Sequence, residues 1–388
     1  MAENLSRRTV LVGLAGIAGL ALAGCTQGQG NPSPTGGPQG GTTPPVTPQP
    51  SPTTTPAVPV DTTPRWPLTG VPLAAGEDTK AAHPAVAVKV PVEKRSFPQS
   101  GVQDADLVFV EAQGDSYDIT RLCAVFHSKF PKDGANPVRS TRPVDVALLS
   151  PIKPVLACTG AVKWVLKYVH KNKSNIELRE KYGDTSDRWK YLPSRGGWLK
   201  GGAMPDKSVV AMPAALSRDA KISKDTIPPV YLPYNLPGEQ PSSASGTAAK
   251  QVTVTFDGQG TEYHRWTWDA KDERWVASIR FQESSQWYDW KTREGKRVGA
   301  DNVMVLFCAW RMGVLKGYSG HHEPIYSIID GADKFLYFHD GKQVSGTWKK
   351  GGLTDRFEFT LDDGTPLKLA PGKTWILMPN HDAPVKIS

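Results

Sequence analysis

The densest run of side chains able to do chemistry is Asn136-Pro137-Val138-Arg139-Ser140-Thr141-Arg142-Pro143-Val144-Asp145. Two arginines three apart, with hydroxyls between them, offer forked donors suited to a phosphate or carboxylate. Upstream, Glu111 closes one apolar run of strand length and Thr120-Arg121 opens the next. Ligands prefer the strand ends of an α/β layer, so Glu111, Thr120, Arg121, Arg139, Ser140, Arg142 and Asp145 make the candidate ligand-binding set. Two other readings use the same residues. Arg139, Arg142, Glu111 and Asp145 suit a buried structural ion-pair network, and Glu111 with Asp145 suit the carboxylate pair of an envelope-glycan hydrolase or transferase. Spacing alone leaves all three open.

Other motifs are weaker. Gly114-Asp115-Ser116 follows an apolar strand, as an esterase nucleophile does, but none of the eight histidines has an Asp three residues earlier to activate it. Ser150-Pro151-Ile152-Lys153 matches Ser-x-x-Lys without its usual Ser-Asp-Asn and Lys-Thr-Gly companions. His321-His322-Glu323 lacks a second ligand pair, and adjacent strand residues face opposite ways, so no metal site is expected and no cofactor is implied. Cys123, Cys158 and Cys308 lie in apolar runs and allow at most one disulfide and one free thiol, with three buried, unpaired thiols the favoured expectation.

The elements that must position these residues fall into two parts. Apolar runs Ala85 to Val90, Ala105 to Val110, Arg121 to Phe126 and Val155 to Cys158 read as buried strands. A helix over Ala161 to Lys171 follows, with Val162, Val165, Leu166 and Val169 on one face. From Asn172 to Gly202 the pattern dissolves into an irregular excursion. A Pro-, Ser- and Gly-rich stretch then precedes short strands at meander spacing: Gln251 to Phe256, Glu262 to Trp268, Arg274 to Phe281, Asn302 to Trp310, Ile325 to Ile329, Phe335 to Phe338, Arg356 to Leu361 and Thr374 to Met378. The expected class is α+β: an α/β domain over 64–230, a linker over 231–250, and a mostly antiparallel β domain over 251–388. Trp266, Trp268, Trp275, Trp287, Trp290 and Trp310 fall in the β part, chiefly as core; some beside Lys291, Arg293, Lys296 and Arg297 suit a glycan-stacking surface instead.

Trp66-Pro67-Leu68-Thr69-Gly70, Phe97-Pro98-Gln99-Ser100-Gly101, Ala105-Asp106-Leu107-Val108 and Pro137-Val138-Arg139-Ser140-Thr141-Arg142-Pro143 resemble successive motifs of the YerB-type bacterial lipoproteins. Asn302-Val303, Gly346-Thr347-Trp348 and Pro371-Gly372-Lys373-Thr374-Trp375 continue the resemblance in order, so that it covers most of Trp66 to Pro379. The resemblance implies a lipid-anchored, two-domain envelope protein and supplies no reaction. This chain departs from the family's Gly-Pro-Val-Arg-Ser form at Asn136. At Ala211-Met212-Pro213-Ala214-Ala215 it lacks the His and Asn of an Ala-Pro-His-Asn motif.

The N-terminus reads as an address. Residues 1–25 carry Arg7-Arg8 of a twin-arginine export pattern, an apolar run from Val10 to Ala23, and Leu22-Ala23-Gly24-Cys25, which resembles a lipobox. Cys25 is the expected lipidation site, where diacylglycerol and a further acyl chain such as palmitate would give stable anchoring. Residues 26–63 hold ten prolines in 38 residues and too little apolar surface to fold. As a coil this tether spans roughly 35 Å, and as extended polyproline II roughly 120 Å. The 388-residue chain has no apolar run of the roughly 18–20 residues a permanent spanning helix needs. Its formal charge of +8 favours anionic surroundings. The expected location is the extracytoplasmic face of the cell membrane. The expected partners are the membrane, through the lipid anchor, and an anionic envelope ligand or an envelope protein, not nucleic acid. A binding module is favoured over an enzyme.

Overall fold

Uninterrupted runs of Val, Leu, Ala and Phe commit the first half to buried strands. In the computed structural model, which describes residues 63–115, 118–181, 184–191, 208–221, 227–256, 262–281 and 284–388, these are β1 (Val86–Pro91), β2 (Leu107–Asp115) and β3 (Asp118–Phe126). Helix α1 (Pro143–Leu149), strand β4 (Val155–Cys158), helix α2 (Lys163–Lys171) and strand β5 (Glu177–Glu180) follow. Short strands β6 (Trp189–Tyr191) and β7 (Val209–Ala211) pair with each other, and α3 (Pro213–Arg218) closes this half. Residues 1–25 with Cys25, all of the tether but its last residue, and Ser116 of the Gly-Asp-Ser motif lie outside the described residues.

The second half is β throughout. It runs β8 (Thr247–Ala248), β9 (Gln251–Thr255), β10 (Glu262–Asp269), β11 (Arg274–Phe281), β12 (Tyr288–Asp289), β13 (Gly299–Ala300) and β14 (Asn302–Leu306). Then come β15 (Trp310–Gly313), β16 (Glu323–Tyr326), β17 (Gly331–His339), β18 (Lys342–Lys350), β19 (Glu358–Leu361), β20 (Thr374–Leu377) and β21 (Val385–Ile387). The protein is therefore mostly β. Its α/β character is confined to a parallel edge, β1–β4–β5, with α1 and α2 beside it. The stretch from Asn172 is not wholly irregular, because Glu177–Glu180 joins that edge as β5. The expected strand Asn302 to Trp310 ends at Leu306, and Trp310 starts a separate hairpin with β16.

One large sheet runs β19-β18-β17-β14-β20-β2-β3-β1-β4-β5, with β8 on β18. Strand β20 lies parallel to both β14 and β2 and so stitches the two halves into one sheet. All four β20 residues are buried, as a strand between two others and covered on both faces requires. A second sheet, β12-β11-β10-β9-β21 with β13 on β11, covers one face of the first.

Side-chain alternation assigns the two faces. Val86, Val88 and Val90 of β1, Val108 and Val110 of β2, and Leu122, Ala124 and Phe126 of β3 pack with Val252, Val254, Trp266 and Trp275 of the second sheet. Trp266 and Trp290 both meet Trp375 of β20, with ring centroids 5.0 and 5.4 Å apart. The opposite face, with Ala87, Phe109, Cys123 and Val125, is covered by Val144, Val146, Leu148 and Leu149 of α1 and by Trp164, Val165 and Val169 of α2. A period of two then dictates where Lys89, Glu111 and Arg121 point. They share the α1 face.

A buried ion-pair cluster as the candidate functional site

Glu111 of β2 stands opposite Arg121 of β3, and Arg121 stands opposite Pro91 of β1. Two residues before Pro91, Lys89 reaches across the sheet face. Its ammonium contacts the Glu111 carboxylate directly and Asp145 Oδ1 at 2.7 Å, and all three side chains are fully buried. Among the described residues the Glu111 carboxylate has no hydrogen-bond donor to add to that ion pair.

Asp145 is positioned by the start of α1. Pro143 opens the helix, where its missing N–H costs nothing. Asp145 Oδ2 then accepts from the Arg142 backbone N–H at 2.7 Å and from the Thr141 hydroxyl at 2.6 Å. With Oδ1 on Lys89, both carboxylate oxygens are used.

The segment before α1 is clamped. Arg139 N–H donates to the Lys89 carbonyl at 2.9 Å, while the Arg139 carbonyl accepts from Thr159 N–H at 3.0 Å. Thr141 N–H donates to the Gly160 carbonyl at 3.0 Å. Parallel strands β1 and β4 pair only from Val86 to Val88, and the Arg139–Thr141 segment fills the gap beyond. That gap lies at the carboxyl ends of adjacent parallel strands, where α/β sheets bind ligands. Asn136 is held by backbone bonds with Ser100 in both directions and by its side-chain amide donating to the Val209 carbonyl at 2.8 Å.

The arginines divide by depth. Arg121 is buried; its guanidinium donates to the Ser140 carbonyl at 3.2 Å and to the Gln113 side chain. Arg142 is buried and faces Glu323 of β16 at 3.2 Å. Arg139 keeps 27% of its side chain exposed, with Glu93 at 3.9 Å, and Ser140 beside it is half-buried. Thr120 is not in the cluster. It falls on the opposite face, its hydroxyl 3.2 Å from His264 Nε2 of β10, so the structure brings together six of the seven expected residues.

Lys89, Gln113, Glu93 and Glu323 complete the cluster and were missed in the sequence. Lys89 had a signal. A single Lys inside the apolar run Ala85 to Val90 must find an anion when buried. Glu323 lies 181 residues beyond Arg142 and had none.

The two candidate carboxylates meet at one ammonium, well inside the span of a catalytic pair. Their burial and the intervening Lys89 leave no room there for a scissile bond. The other motifs resolve locally. The Ser150 hydroxyl donates to the Val146 carbonyl at 2.6 Å, and Glu323 of the His-His-Glu run belongs to Arg142. Among the described residues no three His, Cys, Asp or Glu side chains gather as a metal site. Cys123, Cys158 and Cys308 are free and buried, and burial pushes the Cys158 thiol up to about 12.

Two family models match in order. Residues 68–195 match "Protein of unknown function (DUF3048) N-terminal domain", and residues 252–376 match the corresponding C-terminal domain. The chain belongs to this family. The ion-pair cluster draws on both matched regions, since Glu323 lies in the second and the rest in the first. The fold is similar to the crystal structure of YerB protein from Bacillus subtilis, with a TM-score of 0.63 at 21% identity over 83% of this chain and 99% of that one. No curated protein matches the sequence. The YerB-type resemblance of the sequence motifs is thus matched by family and fold.

Proposed function

We propose that this protein is a lipid-anchored binding module of the cell envelope. It is held by Cys25 on the extracytoplasmic face of the membrane after twin-arginine export, and it takes an anionic envelope group at the Arg139–Ser140 rim. The observation that carries the reading is the contrast within one cluster. Lys89, Glu111, Arg121, Arg142 and Asp145 are closed to solvent, whereas Arg139, its backbone fixed from both sides, keeps its side chain partly in water. With its backbone already held, Arg139 has only side-chain freedom to lose on meeting a carboxylate or phosphate. The N-terminal half, with its parallel edge beside α1 and α2, supplies the rim, and the β-rich half braces it through Glu323. Phosphate and sulfate serve as probes. Each should raise the melting temperature of the parent, and Arg139→Ala should abolish that rise while leaving the unliganded protein nearly as stable. Equal anion stabilisation in the variant refutes the reading.

A further inference from the structure

The outer face of the second sheet carries cations that the fold does not neutralise. Arg265 of β10 lies over the Trp287 ring at 3.6 Å, and Arg280 of β11 lies over Tyr263 at 3.7 Å and over Trp287 at 5.4 Å. The result is a stack of alternating rings and guanidiniums along a cleft of about 450 Å³. Lys386 of β21 and the outward hydroxyl of Thr253 line the same cleft. Among the described residues no side-chain carboxylate pairs with Arg265, Arg280 or Lys386, and the three cations outnumber the one terminal carboxylate, of Ser388, that also lines the cleft. Two guanidiniums sharing one indole repel each other, and exposed cation–π contacts return only modest stabilisation. Folding alone does not reward this arrangement.

Register sets the spacing of the charges. Arg265 pairs with Thr253, and Thr253 with Lys386, so two strand intervals separate the two cations. At about 4.8 Å per interval that is roughly 10 Å. Arg280 is the cross-strand partner of Tyr263, one step along the sheet. No single phosphate or carboxylate bridges such a triangle, whereas a chain bearing anions at regular intervals does. Both guanidiniums line the cleft while resting against the rings, and a guanidinium is the group suited to bidentate recognition of carboxylate or phosphate.

We propose that this cleft binds an anionic polysaccharide or polyol-phosphate chain, through Arg265, Arg280 and Lys386 on successive charges. A concave cleft suits a threaded chain better than a flat bilayer. The site shares no residue with the Arg139 rim and stands whether or not that rim binds.

The test uses the full-length chain carrying Cys25→Ala, so that no acyl anchor contributes, with titration calorimetry against polygalacturonate, polyphosphate, neutral dextran and inorganic phosphate. Both polyanions should bind in a salt-sensitive manner, dextran not at all, and inorganic phosphate far more weakly. Arg265→Gln with Arg280→Gln should weaken polyanion binding at least tenfold without lowering the melting temperature. Lys386→Gln, at an exposed position, should weaken it severalfold, which keeps the test decisive if the double variant folds poorly. Polyanion binding unaltered in the double variant or, if that misfolds, in Lys386→Gln overturns the proposal. So does retention on phosphatidylglycerol vesicles through these arginines with no binding of the soluble polymers.

Discussion

Lys89 and Asp145, 56 residues apart in sequence, meet at 2.7 Å with neither side chain exposed. The contact ties the middle of the large sheet to the start of α1, and Glu111 shares the same ammonium. One cation thus compensates two buried carboxylates.

Lys89→Met should therefore be among the most damaging single substitutions. It leaves Glu111 and Asp145 buried without their cation, and truncating one partner of such a pair costs about 3–5 kcal/mol. Chemical denaturation of the variant against the parent measures this. A loss below about 1 kcal/mol would contradict this account of the cluster.

Arg142 and Arg139 should separate although they stand three apart. Arg142 is buried against Glu323, so Arg142→Ala should lower the melting temperature by several degrees. Arg139 sits at the rim, 3.9 Å from Glu93, where a pair contributes about 0–1 kcal/mol, so Arg139→Ala should shift it little. Thermal unfolding without added anion reads both.

Asp106 and His127 should oppose each other in pH dependence. Burial pushes the Asp106 carboxyl up to about 6, against hydrogen bonds from Ser128 and His127 that favour its charged form. Burial, and then His83, pushes His127 down to about 4. A raised acid binds more protons folded than unfolded, so its contribution is full below about 3.8 and fades as pH rises through 6. A depressed base does the reverse: its contribution is full above about 6.5 and fades as pH falls through 4. Each amounts to about 3 kcal/mol and they nearly cancel. Denaturation between pH 4 and 6.5 should show stability rising with pH in Asp106→Asn and falling with pH in His127→Gln.

Gly134 should not tolerate a side chain. Its φ is +78°, and an added Cβ would stand 2.4 Å from the Ala211 carbonyl oxygen. That backbone must give way, so Gly134→Ala should cost about 1–3 kcal/mol and loosen the Asn136–Arg142 segment that follows. Equilibrium unfolding together with anion binding at the Arg139 rim checks both effects.

Cys25→Ala should release the protein from the membrane fraction, because no diacylglycerol can be attached without the thiol. Retention through a carbonate wash equal to that of the parent contradicts lipid anchoring.

Much of this architecture was written in local pattern. Val155–Cys158 and Arg274–Phe281 were legible to the residue, because uninterrupted or alternating apolar side chains specify a strand and its buried face. The helix expected over Ala161 to Lys171 was legible from its stripe but starts at Lys163, with Val162 as its extended N-cap. Helix α1 was not, because all seven of its residues are buried and it has no polar face to set a period. Strand β18 was not, because its charged and glycine residues alternate weakly, and pairing with β17 and β19 holds it in the sheet. The Pro-rich stretch near Pro229 suggested a divide, yet β20 crosses it to lie between β14 and β2. A parallel neighbour is chosen by long-range packing, and no local residue records it.

The sequence by itself therefore determined the strands with apolar or alternating runs, the face each side chain takes along them, and the arginine-rich segment ahead of Asp145. Those follow from periods of two and 3.6 and from the chemistry of single residues. Only the tertiary structure decided that Lys89 joins Glu111 to Asp145, that Thr120 turns away toward His264, and that Glu323 arrives to meet Arg142. These are contacts between distant segments. Burial makes an unpaired charge too costly to leave, but it does not say which distant carboxylate will answer it.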